Sequence, residues 1–309
     1  MLAGSPEGDA AATTKSEAGA VLLCEAARRD AVLLDDASDL RGLPAIVLPD
    51  STVMTSALAL RLQAYHREGG AIIASYQAGL DRSGAFLLDF LPLDYRGESA
   101  AATTYWRPRG GGLAALSSDD RVMYQRGADI TPRDGAQVVV DRVFPYFQRT
   151  DAAFCSHFQA PPGGTVSPHP AVILGERFAF FADPVFREFR EVHSGWILEV
   201  WQHVLRSLVG PPPFGAGLPP SVQLVPRRRQ RDLLLTVLRY LPTTKATLLD
   251  LVEERLPLGD VILAFEQPVP AVTVFPDHQP LDAIDARRFR LRGAGRILLS
   301  VPDYFPALT

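Results

Sequence analysis

Cysteine is scarce: Cys24 and Cys155 are the only two in 309 residues and lie far apart. That excludes a disulfide framework and a four-cysteine zinc site, and it leads us to expect a reducing compartment, the cytoplasm. Long apolar runs are also missing. No stretch reaches the roughly 18 apolar residues of a membrane span, and the first 19 residues lack a basic segment followed by an apolar one. We therefore expect a soluble chain with no membrane partner. Lysine occurs only as Lys15 and Lys245, which carries no functional weight. Basic charge is dense only at Arg227-Arg228-Arg229-Gln230-Arg231, and the net charge is −4. That run reads as a solvated strand entry or interface rim, and no nucleic-acid partner is expected. The six histidines, His66, His157, His169, His193, His203 and His278, show no ligand spacing, so neither a metal nor a cofactor is expected.

What is present is an alternation of strand and helix patterns. Residues 1–15 are small, polar and unpatterned, and read as a disordered leader. Glu17–Arg29 follows as a helix, with Ala20, Leu23, Cys24 and Ala27 on one stripe and Ser16 as its cap. Ala31–Leu34 and Ala45–Leu48 read as short buried strands. Thr55–Arg67 places Leu58, Leu62 and Tyr65 on one helical face, and Gly69-Gly70 ends it before the strand Ala71–Ala74. Strand, helix and apolar strand in this order predict a right-handed crossover and a parallel sheet. Residues 84–92 suggest a short helix, followed by an irregular, glycine-rich stretch through Arg107 to Gly112. Further strands are expected at Gln137–Val140, Ala171–Leu174 and Phe178–Phe181, and a helix at Gly195–Leu208 with Trp196, Val200, His203 and Val204 on its stripe.

Residues 210–220, Gly-Pro-Pro-Pro-Phe-Gly-Ala-Gly-Leu-Pro-Pro, can be neither helix nor central strand and read as a linker. The expected organisation is an α/β region over 16–209, the linker, and a smaller antiparallel β-sandwich over 221–309. Its strands are expected at Leu233–Leu238, Val261–Phe265, Val272–Phe275, Arg288–Leu291 and Ile297–Val301.

Chemistry is hard to place on this pattern. In an α/β sheet, ligands bind beyond the carboxyl ends of the strands, and a nucleophile elbow sits on a strand-to-helix turn. After Ala74 the chain reads Ser75-Tyr76-Gln77-Ala78-Gly79, which puts Gln77 in the nucleophile's place, where an amide cannot attack a carbonyl. Ser75 lies two residues early, with no histidine nearby in sequence to activate it. We read the turn as a degenerate elbow and assign no catalytic residue. A second candidate is the aromatic-rich segment from Phe144 to Pro162. Cys155 and His157 could share a side of an extended backbone, but parallel side chains at i and i+2 aim thiol and ring poorly at each other; the plain reading is a buried thiol beside a histidine that bonds the loop backbone. Arg149, Phe154, Ser156, His157 and Gln159 are still the first choice for a surface facing a ligand or partner. Trp106, beside Tyr105 and Arg107, is expected to be an exposed tryptophan able to stack on a sugar, and Trp196 and Trp201 to be core anchors. The adjacent acids Asp35-Asp36 and Glu253-Glu254 point in different directions and read as solvated turns.

Asp39–Asp50, then Tyr65–Ser75, then Gly79-Leu80-Asp81 resemble the trimerisation domain of glycoside hydrolase family 42 β-galactosidases. The stretches Phe147–Pro162 and Gln230–Pro242 resemble the C-terminal regions of related glycosidases, so that the likeness spans roughly residues 20–300. It implies a flavodoxin-like, class I glutamine amidotransferase-like parallel sheet with helices on both faces, in a multidomain enzyme whose (β/α)₈ barrel carries two catalytic glutamates. Such a barrel needs about 250 residues, and no position here matches its motifs. The first strand implied before Glu17–Arg29 is also not seen, which predicts a central gap in the sheet. The resemblance thus implies a non-catalytic assembly region, whether a truncated gene product or one subunit of a split enzyme. Its partner would be itself, as a homo-oligomer of which the family implies a trimer, or a separate barrel polypeptide. A stand-alone amidotransferase-like hydrolase using Ser75 or Cys155, and a carbohydrate-binding module using Trp106 and the His157 loop, are the alternatives.

Overall fold

A computed structural model describes residues 10–110, 113, 119–219, 221–239, 257–293 and 296–305. The first nine residues of the leader, Gly111 and Gly112, Pro220, the segment Tyr240–Pro242 and the pair Glu253-Glu254 lie outside the described residues. The chain divides into two compact units, residues 1–24 with 31–210, and residues 25–30 with 211–309.

The first unit opens with α1 (Ala10–Ala26). Its buried stripe, Ala20, Leu23 and Cys24, is the expected one, but the helix starts earlier than the sequence suggests. Residues 10–15 are helical, and Lys15 Nζ lies 2.7 Å from Glu191 Oε1. Ser16 is not a cap; it is buried, and its Oγ accepts the Asp50 N–H at 2.8 Å.

Residues 31–34 form no strand. Val32 and Leu33 are 63% and 62% exposed, so the apolar run does not mark burial here. The first strand is β1 (Ala45–Leu48), followed by α2 (Ser56–Arg67) and β2 (Ala71–Ser75). Thr55 caps α2, its side chain accepting the Leu58 N–H at 3.2 Å, and Leu58, Leu62 and Tyr65 are buried as the spacing requires. Every residue of β2 is buried, as for a strand covered on both faces. Residues 84–92 are turns with a single bridge between Leu80 and Phe86, not a helix.

Next come β3 (Leu93–Glu98), β4 (Thr104–Pro108), β5 (Arg121–Met123), β6 (Ala128–Pro132), β7 (Gln137–Pro145), β8 (Pro162–Val166), β9 (Val172–Leu174) and β10 (Phe178–Phe181). The helices α3 (Val185–Val192) and α4 (Gly195–Val209) close the unit. The main sheet runs β1-β2-β10-β9-β7-β4-β5, with β8 also on β7, while β3 pairs with β6.

This sheet is mixed, which corrects the parallel expectation. Only β1, β2 and β10 run parallel; β9, β7, β4 and β5 alternate. The reason is connection length. A parallel neighbour needs a crossover of a dozen or so residues, which α2 supplies between β1 and β2, whereas three residues separate β9 from β10. The expected central gap is also filled: β10, from the far end of the unit, pairs with β2 on the side away from β1. Ile46, Leu48, Ile72, Ala74, Phe178 and Phe180 form one core with the buried side chains of α2. The alternate residue Phe181 meets Trp201 of α4, with 5.9 Å between ring centroids, so helices cover both faces. On α4 the buried stripe is Ile197, Val200, Trp201, Val204 and Leu205; Trp196 is only partly buried.

The second unit has a five-stranded sheet, built from β11 (Val222–Arg229), β12 (Asp232–Arg239), β14 (Thr273–Val274), β15 (Gln279–Pro280) and β18 (Arg296–Val301). A three-stranded sheet comprises β13 (Val261–Ala264), β16 (Asp282–Ala283) and β17 (Arg288–Leu291). Period-2 burial on β12 and β17 sends Leu233, Leu235, Val237, Phe289 and Leu291 into one core between them. Phe214 and Leu218, in the segment read as a linker, belong to that core. Arg28 belongs to this unit as well: its guanidinium donates to the carbonyls of Val222, of Leu218 at 3.1 Å and of Pro219 at 2.7 Å. The basic run 227–231 is the exposed tip of the β11–β12 hairpin, where Gln230 takes a φ of 56°.

Candidate functional site

The three parallel strands deliver Asp50, Ser75 and Asp183 to one place, just beyond their carboxyl ends, and all three are fully buried. Ser75 Oγ lies 2.6 Å from Asp50 Oδ1 and 3.0 Å from the Asp183 carbonyl, so its one proton serves two acceptors. Asp50 in turn accepts the N–H groups of Arg187 at 2.8 Å and Phe186 at 3.4 Å, in the first turn of α3. A carboxylate is favoured there by unpaired N–H groups and the helix dipole. Burial pushes the Asp50 carboxyl up from its usual range, and the donors from Ser75, Arg187, Ser16 and Phe186 pull it back.

Asp183 joins this cluster to a second one. Its Oδ2 accepts the Trp106 indole N–H at 2.7 Å, and its Oδ1 takes Arg142 Nη2 at 3.0 Å. Arg142, also fully buried, spends Nη1 on the Ala128 carbonyl and on Asp129. Buried charges have to be paired and hydrogen-bonded, and here each partner is internal. Trp106 is therefore not an exposed stacking residue. It sits on β4, 1% exposed, because Asp183 satisfies its indole N–H inside the core.

The strained position of the turn is Tyr76, with a φ of 54°, not Gln77. Its hydroxyl donates to Glu98 Oε1 at 2.5 Å, and Gln77 Nε2 reaches the same oxygen at 3.2 Å. Burial, reinforced by Glu98, pushes the phenol far above its ordinary value, so Tyr76 keeps its proton. Gly79, at φ 108°, has no room for a Cβ, which would meet Phe86 at 2.8 Å and Leu88 at 2.9 Å. Asp50 and Asp183 were not singled out from the sequence, nor was Glu188 of α3, which is buried, with Oε1 accepting the Tyr124 N–H at 3.0 Å and Oε2 without a partner. Burial first, then the charge of Asp183, pushes it to about 7. The hydrophobic stripe on which it rides carries no sign of this.

The segment 146–158 is different, because much of it faces solvent. Phe154 and Phe158 are 72% and 67% exposed. With Arg149, Thr103, Tyr124 and Gln148 they line a cavity of about 580 Å³. Of the expected residues, Arg149 and Phe154 come to this cavity, whereas Ser156, His157 and Gln159 do not line it. The Cys155 thiol donates to the carbonyls of Gln159 at 3.3 Å and His157 at 3.5 Å, so it engages backbone, not an imidazole. It is half-buried and His157 is exposed, which corrects the buried-thiol reading. Among the described residues no group of three or more His, Cys, Asp or Glu is arranged to hold a metal ion, and no helix is long and apolar enough to cross a membrane.

Comparison with solved structures defines the class of architecture: the fold is that of part of several glycoside hydrolases. α-L-Fucosidase isoenzyme 2 from Paenibacillus thiaminolyticus is 24% identical with a TM-score of 0.84, over 94% of this chain and 45% of that one. The β-galactosidase of Bacillus circulans sp. alkalophilus is 10% identical with a TM-score of 0.59, over 95% and 38%. The cold-adapted β-galactosidase of Rahnella sp. R3 is 14% identical with a TM-score of 0.55, over 91% and 35%. The chain thus spans less than half the length of these structures. No protein-family model and no curated protein matches the sequence.

Proposed function

We propose that this chain is the non-catalytic assembly region of a glycoside hydrolase, joining copies of itself or a separate catalytic barrel polypeptide. The observation that carries this reading is the match of 94% of the chain to only 45% of a fucosidase chain: the same architecture occurs as a minor part of a larger hydrolase. The strand ends support it. At the position where such a sheet would present a nucleophile, Ser75 is buried and its proton is committed to Asp50 and Asp183. Cys24 and Cys155 form no disulfide with each other, which fits the reducing environment of a cytoplasm.

Light scattering on the purified chain tests the assembly role, with p-nitrophenyl α-L-fucoside and β-D-galactoside as probes of turnover. Agreement is greater with the fucosidase than with the β-galactosidases, so the fucoside is the first probe. A defined oligomer without turnover is expected. A monomer at every concentration tested overturns self-assembly and leaves the barrel polypeptide as the partner; turnover abolished by replacing one side chain of this chain overturns the proposal as a whole.

A further inference from the structure

We infer that the cavity beside residues 146–158 is a binding subsite for a neutral sugar unit, a pyranoside with one apolar C–H face. The inference stands on this cavity alone and is independent of the assembly role. Its volume, about 580 Å³, is that of a small-ligand pocket. Two phenylalanines left largely in water, with Phe158 set edge-on to Tyr124 at 5.7 Å, offer ring faces without a large apolar core of their own. Exposed aromatic surface rimmed by polar groups marks a binding site, and the C–H face of a pyranose is its natural cover.

The polar rim sets the class of ligand. Arg149 gives one N–H to the Phe158 carbonyl at 3.2 Å, and Asp151 lines the same cavity. Together they offer donors and acceptors at zero net charge, which suits paired hydroxyls and favours neither a phosphate nor a cation. One side of the cavity and the base of the loop are tied to the sheet. Gln148 Oε1 takes the N–H groups of Ala102 at 2.9 Å and Thr103 at 3.4 Å, and the Tyr105 hydroxyl holds the Ala160 carbonyl at 2.5 Å. Such fixing lowers the ordering cost of binding.

The test is saturation-transfer NMR on the full chain with methyl α-L-fucopyranoside, methyl β-D-galactopyranoside and methyl β-D-glucopyranoside, in parallel with F154A/F158A and D151N. Both phenylalanines are exposed, so these variants are expected to fold, which circular dichroism verifies. The expected result is transfer to the ring C–H protons of at least one glycoside, weakened by about tenfold in F154A/F158A and reduced in D151N. Absence of transfer from all three probes overturns the inference, as does transfer unchanged in F154A/F158A. A change of oligomeric state in F154A/F158A with sugar binding intact assigns the rings to a protein contact, and also overturns it.

Discussion

Glu188→Gln is the most informative single change, because the native environment of this carboxyl opposes its charge. The group is buried, one oxygen bonded to the Tyr124 N–H and the other to nothing, and burial together with nearby Asp183 pushes it from 4.5 to about 7. Between those values the folded chain holds a proton that the unfolded chain releases. Stability contributed by this group is therefore full below about 4.5, falls as pH rises, and is lost above about 7. That displacement corresponds to roughly 3 kcal/mol, most of which falls between pH 5 and 8. Glutamine keeps an acceptor for Tyr124 and does not titrate. At pH 5 the neutral acid and the amide each leave one buried polar group unpaired, so the two proteins melt together. At pH 8 the variant is more stable than the wild type by about 2–3 kcal/mol, or about 5–10 °C in a unit of this size. Thermal unfolding followed by circular dichroism from pH 5 to 8 reads the divergence directly. Melting curves for the two proteins that stay parallel across this range would refute the reasoning, since the carboxyl would then ionise in the folded state at no cost.

Gly127→Ala places a methyl carbon 2.0 Å from Asp183 Oδ1 and 2.6 Å from Arg142 Nη2, forcing the buried ion pair apart. A loss of about 3–5 kcal/mol is expected in urea unfolding, and a wild-type midpoint would show that the pair does not need this approach. Arg28→Ala removes three bonds to carbonyls in the second unit and should cost about 3 kcal/mol, read as faster proteolysis between residues 211 and 239; an unchanged pattern would show that these bonds do not stabilise that segment. A fluorophosphonate probe is expected to leave Ser75 unmodified in the folded chain, because the hydroxyl is buried and hydrogen-bonded. Labelling there, confirmed by its loss in Ser75→Ala, would restore a catalytic reading of the strand end.

Local pattern was enough for much of this molecule. The stripe Leu58, Leu62 and Tyr65, with Thr55 before it and Gly69-Gly70 after, specifies α2. The apolar runs at 45–48, 71–74 and 178–181 specify strands whose every side must be covered, and the alternation at 233–238 specifies a half-buried one. These elements need only neighbours in sequence to state their period. The scarcity of cysteine was equally plain.

Tertiary structure decided the rest, for reasons that act through space. Whether Ala31–Leu34 is buried depends on what lies against it, and there Val32 and Leu33 meet solvent. Trp106 is a core residue because Asp183, 77 positions away, satisfies its indole. The direction of β10 and the filling of the sheet beside β2 follow from a three-residue connection and a distant pairing. Composition and period fix which segments form helices and strands; which polar groups find one another inside is set by long-range proximity, and that alone committed Ser75 to Asp50 and left Arg149 and Phe154 facing the water.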